Sequence, residues 1–61
     1  MELMTQYTYE KRWIKTSEKE ALTMIEDEMP EADAKGTLSY ILAVTSKGKT
    51  ITLGTCKFKG V

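Results

Sequence analysis

Thr37-Leu38-Ser39-Tyr40-Ile41-Leu42-Ala43-Val44-Thr45 is the most apolar run of the chain, and the fold turns on whether it is read as strand or helix. Leu38, Tyr40, Leu42 and Val44 alternate with Ser39, Ile41, Ala43 and Thr45, and β-branched and large apolar side chains dominate. That pattern predicts a strand over 37 to 45, apolar on both faces and therefore central in a sheet. Ser46-Lys47-Gly48-Lys49 follows as a tight turn in which Gly48 supplies the positive φ, and residues 50 to 59 return as a second strand, closing an antiparallel hairpin.

Within the returning strand Ile51 and Leu53 are odd-numbered while Cys56 and Phe58 are even-numbered. A bulge at Gly54-Thr55 would restore a common apolar face. Upstream, residues 4 to 15 alternate strictly, which predicts a long first strand with Tyr7, Tyr9 and Trp13 on one face. Between the strands, Ser17 and Glu20 have the spacing of a capping box, and Ala21, Leu22, Ile25 and Met29 recur at helical spacing up to Pro30. A helix over 18 to 29 is expected, ended by the proline.

The expected fold is a single α+β domain, residues 1–61, in the order β-α-β-β: a three-stranded sheet with an antiparallel hairpin and one helix on one face. Its expected core is Ile14, Leu22, Ile25, Met29, Leu38, Tyr40, Leu42, Val44, Ile51, Leu53 and Phe58. At 61 residues and 41% hydrophobic content there is apolar material for one core only. So small a core leaves stability marginal and favours self-association, so a homodimer is expected, joined by the uncovered sheet face or a free edge strand.

Chemistry is sparse. The chain has no histidine and one cysteine, so neither a Ser-His or Cys-His dyad nor an internal disulfide or zinc centre can form. Cys56 reads as a small buried hydrophobe. No phosphate-binding glycine loop occurs. No catalytic residue, metal or cofactor is assigned, and the chain is not expected to be an enzyme. The start of the sequence lacks a signal-peptide pattern, and no run of ~20 apolar residues is present. A cytoplasmic protein without membrane contact is expected.

Charge is the more informative feature. The net charge is zero, yet residues 1 to 16 carry +1, residues 17 to 35 carry −5 and residues 36 to 61 carry +4. Glu26, Asp27 and Glu28 lie in the last helical turn, where the macrodipole disfavours carboxylates. With Glu31 and Asp33 they form an acidic end, to be neutralised by lysines elsewhere in the fold or to steer a basic protein partner. The leading expectation is a non-catalytic protein-interaction module, a small inhibitor or regulator of a larger cytoplasmic protein, viral or mobile-element encoded.

The alternative is single-stranded nucleic-acid binding through an aromatic and basic sheet face made of Tyr7, Tyr9, Lys11, Arg12, Trp13 and Lys15. Zero net charge weighs against a binder that relies on phosphate neutralisation. The lysines at 47, 49, 57 and 59 have a plainer reading, as guards against edge-to-edge strand pairing.

Overall fold

Ser17 opens its helix as its spacing predicts. The computed structural model describes all residues, 1–61, and in it the Ser17 hydroxyl accepts from the Glu20 N–H at 3.1 Å while the Glu20 carboxylate accepts from the Ser17 N–H at 3.3 Å. This reciprocal cap satisfies two amides that the first turn leaves without intrahelical partners. Helix α1 spans Glu18–Glu28 and stops just ahead of Met29-Pro30.

The run from 37 to 45 is helical, which overturns the three-stranded, one-helix architecture. Helix α2 spans Ala34–Thr45. Asp33 caps it, its carboxylate accepting from the Gly36 N–H at 3.1 Å, and an acid at a helix start also complements the macrodipole. Ala34, Leu38, Ile41, Leu42 and Thr45 form the inward stripe, a spacing of four, three, one and three that a helix places on one face. Period two fits the same letters. It fails on Tyr40, which it puts in the core and which is 65% exposed.

The expected first strand is two. Strand β1 (Leu3–Tyr7) and the two-residue β2 (Ile14–Lys15) pair antiparallel, Met4 opposite Lys15 and Thr5 opposite Ile14. Between them the Glu10 N–H donates to the Tyr7 carbonyl at 2.9 Å and starts a turn. The charged run Glu10-Lys11-Arg12 has no apolar face to bury, so the alternation there is numerical only. Buried Thr5 and Thr16 close the hairpin, their hydroxyls 2.6 Å apart. Thr16 donates its one proton to the Ile14 carbonyl, so Thr5 donates to Thr16.

Strands β3 (Ile51–Leu53) and β4 (Cys56–Gly60) form the second hairpin, with Leu53 opposite Cys56 and Ile51 opposite Phe58. Gly54-Thr55 is its two-residue turn, not a bulge. Gly54 has φ 58° and Thr55 does not have a positive φ, the pattern of a type II′ turn. Across such a turn odd residues face even ones, which accounts for the phase change between Leu53 and Cys56. Gly48, at φ 86°, does not join two strands; it carries the chain away from the end of α2 toward β3.

Pairing of β1 with β4, from Leu3 opposite Gly60 to Tyr7 opposite Cys56, joins the hairpins into a four-stranded antiparallel sheet of order β2-β1-β4-β3. The helices pack against each other, and α2 also packs on β3 and β4. The core is Leu3, Ala21, Ile25, Ile41, Cys56 and Phe58. Met29, Leu38, Leu42, Ile51 and Leu53 are partly buried against it. Leu22 and Val44 are half-buried, and Ile14 is 53% exposed because β2 lies at the sheet edge. No helix is long and apolar enough to cross a membrane.

The helical assignment of α2 predicts opposite outcomes for neighbouring residues. Ile41→Ala removes a buried side chain and should cost about 2–5 kcal/mol, whereas Tyr40→Ala should change stability by less than about 0.5 kcal/mol. Urea denaturation of the two variants measures the contrast; a strand over 37 to 45 with Tyr40 in its core would reverse it.

Candidate functional site

Side chains alternate across a strand, so the buried residues Leu3, Thr5, Cys56 and Phe58 fix which side faces the helices. Their neighbours occupy the opposite, uncovered side of the sheet. The register sets these in rows: Lys15, Met4 and Lys59 across β2, β1 and β4, then Gln6, Lys57 and Thr52 across β1, β4 and β3. Trp13 joins them, its ring lying 4.3 Å from the Lys59 Nζ in a cation–π contact. The open face is thus built on three lysines, one tryptophan, and Met4, Gln6 and Thr52.

β4 lies between β1 and β3. Lys57 and Lys59 therefore guard no edge, and the edge-protection reading fails for them. Lys47 lies just beyond the end of α2, and Lys49 is in the connection to β3. The aromatic residues expected on one face are divided. Tyr7 turns toward the helix side, where burial pushes its phenol above its ordinary value. It stacks on Tyr9 with ring centroids 5.3 Å apart. Tyr9, Lys11 and Arg12 stand exposed in the β1–β2 connection. Only Trp13 and Lys15 of the expected set lie on the open face. Lys57 and Lys59 escape the sequence reading because it pairs the last strand with residues 37 to 45, whereas β4 pairs with β1 and so sets both lysines beside Met4 and Gln6.

Carboxylates crowd the other layer. Glu26, Asp27 and Glu31 are exposed, while Asp33 is engaged in capping α2. Glu28 is also engaged: its carboxylate accepts from the Thr55 N–H at 3.2 Å, from the Thr55 hydroxyl and from the Cys56 thiol at 3.7 Å. These bonds tie the end of α1 to the β3–β4 turn. Gly54 is favoured there by its positive φ, and a Cβ would displace the Glu28 carboxylate from the turn. Hydrogen bonds from Thr55 hold the Glu28 carboxyl below its ordinary value, whereas burial pushes the Cys56 thiol up. The structure's one ion pair joins Lys15 Nζ to Glu2 Oε1 at 3.2 Å, so no lysine neutralises Glu26, Asp27 or Glu31.

A shallow groove of about 330 Å³ opens between α1 and the β1–β2 hairpin, lined by Thr5, Tyr7, Ile14, Thr16, Glu20, Thr23 and Met24. It brings together hydroxyls, the Tyr7 phenol and one carboxylate, that of Glu20. No cluster of three or more histidine, cysteine, aspartate or glutamate side chains is placed to hold a metal ion. Comparisons with protein-family models, curated proteins and solved structures find no match for the chain.

The Glu28 tie has a defined pH signature. Its folded-state pKa is depressed, so its contribution is complete above the ordinary glutamate pKa and is lost as pH falls through the lower folded value. Wild type should exceed Glu28→Gln in stability at neutral pH, and the gap should close on acidification below the ordinary glutamate range. Urea midpoints of both proteins across that range report it; a gap independent of pH would mean that the charge of Glu28 contributes nothing.

Proposed function

We propose that this chain is a non-catalytic interaction module whose acidic pole steers a basic protein partner. The observation that supports it is the sorting of charge by layer. Glu26, Asp27 and Glu31 stand exposed and unpaired at the helix end, while Lys15, Lys57 and Lys59 lie on the opposite side of the sheet. Carboxylates in a last helical turn are typically unfavourable by a few tenths of a kcal/mol each. Glu28 offsets this by accepting hydrogen bonds from Thr55, and Asp33 caps α2; Glu26 and Asp27 in that turn, and Glu31 just beyond it, have no such bond within the fold. A basic partner gives them one, raising the association rate through long-range attraction.

The form this takes is a small regulator or inhibitor of a larger cytoplasmic protein, acting by covering its surface. Size supports that form: a chain of 61 residues has little interior in which to enclose a substrate. Self-association belongs to the same proposal. A two-fold dimer through the open faces would set Lys57 and Lys59 against their copies, so the homodimer forms through the edge strand β3, whose outer backbone groups have no partner strand.

Two measurements test the proposal. Partner capture with three baits should retain a basic protein on wild type and on Lys57→Glu/Lys59→Glu but lose it on Glu26→Lys/Asp27→Lys/Glu31→Lys; equal retention on all three would remove the acidic pole from recognition. The melting temperature should rise with protein concentration, as mass action demands when only the folded chain associates. A concentration-independent melt together with a monomer mass would exclude the dimer.

A further inference from the structure

From the open face we infer a second binding activity, independent of the acidic pole: single-stranded nucleic acid lies across the sheet on Met4, Gln6, Trp13, Lys15, Lys57 and Lys59. The rows of the register put three lysines within a small area. Lys57 and Lys59 are two residues apart on β4, about 7 Å along the strand, and Lys15 lies two strands from Lys59, about 10 Å across. One carboxylate, that of Glu2, answers them, on Lys15 alone.

The zero net charge does not oppose this. A phosphate on the sheet responds to charges within about one Debye length, ~8 Å at physiological ionic strength. The acidic end of α1 meets the sheet at the β3–β4 turn, where Glu28 bonds Thr55; Lys59 is four residues further along β4, about 13 Å from that turn and beyond one Debye length, with Lys15 in the same row. The local balance at the open face, three lysines against one glutamate, decides the attraction.

Two features select nucleic acid over an acidic protein segment. Lysines occupy the middle of the face, where protein–protein interfaces are depleted of them and where phosphate contacts require them. The only aromatic side chain of the face is Trp13, and the Lys59 ammonium lies over its ring. A phosphate that draws Lys59 away uncovers the indole for a base to stack upon, so charge neutralisation and stacking are supplied by the same pair of residues. Gln6 and Thr52 add hydrogen-bonding groups in the adjoining row. The face reads no particular sequence, since stacking and phosphate contacts are common to every base.

The test is titration of the whole chain with a mixed-sequence single-stranded oligonucleotide, as DNA and as RNA, followed by Trp13 fluorescence and by anisotropy of a labelled oligonucleotide. Trp13 should be quenched. Affinity should fall with salt at a log–log slope of about −2, the value for roughly three phosphate contacts on a single strand. Lys57→Gln/Lys59→Gln should weaken binding about tenfold or more at ~50 mM salt and flatten the slope, whereas Lys35→Gln, which removes a lysine from exposed α2, should leave both unchanged. No quenching and no anisotropy change at low salt would overturn the inference. So would equal weakening by Lys35→Gln, which would mean unspecific attraction, or displacement of the oligonucleotide by polyglutamate at equal charge concentration, which would make the surface one for acidic proteins. None of these results bears on the acidic pole, whose residues lie outside the tested set.

Discussion

The pairing of the first strand with the last holds the rest of the structure in place. β1 and β4 run side by side over five residue pairs, and Glu2 and Val61 exchange backbone hydrogen bonds of 2.7 and 2.9 Å beyond them. Thr5 stands opposite Phe58 and Tyr7 opposite Cys56, so the same register that satisfies the backbone also assembles the inner face on which the helices rest. Each hairpin alone would be a two-stranded ribbon, marginal at best in water. Joined through their inner strands, they make a surface broad enough for two helices. The intervening chain must then span that surface twice, once as α1 and once as α2, and the short link from Met29 to Asp33 returns it.

From this arrangement the role of the acidic residues follows in two parts. Glu28 and Asp33 are both positioned by helix ends, one accepting from the β3–β4 turn and one from the first turn of α2. They convert charge that would otherwise be unfavourable, or at best solvated, into local order at two junctions of the fold. Exposure limits what each contributes, because water competes for the same lone pairs. Glu26, Asp27 and Glu31 have no comparable partner, and their charge is directed outward.

What could be read from the sequence was governed by which physical signal acted alone. α1 was legible because a capping box, an amphipathic stripe and a proline mark its start, its face and its end independently. α2 was not, because Leu38, Tyr40, Leu42 and Val44 satisfy a period of two while Leu38, Ile41, Leu42 and Thr45 satisfy one of 3.6, and β-branched content tipped the choice toward strand. The signal that separates the two is Asp33, an N-cap residue followed by Ala34 and Lys35, both good helix formers. The long alternation from 4 to 15 misled for a related reason: periodicity describes a strand only where one side has something to bury. Of the residues expected on one basic and aromatic sheet face, only Trp13 and Lys15 lie together on the open side. Pairing of β4 with β1, in place of the expected partner at 37 to 45, sets Lys57 and Lys59 beside Met4 and Gln6, and the break at Thr8 to Trp13 puts Trp13 on the open side while Tyr7 stays on the inner side with Leu3 and Thr5.

Net charge is a sum, and a sum discards arrangement. Nine acids and nine bases cancel in this chain, yet the fold deals the largest block of acids to the helix layer and three of the lysines to the uncovered sheet. Alternation is the mechanism. Once Cys56 and Phe58 are buried, Lys57 and Lys59 have only the other side to occupy; once Leu3 and Thr5 are buried, Met4 can only stand between Lys15 and Lys59. The basic face is thus a geometric consequence of the apolar core, set by the same register that closes the sheet. A change in the β1–β4 register by one residue would send the lysines toward the core and the core toward water, so the stability of the fold and the charge of its open face depend on one alignment.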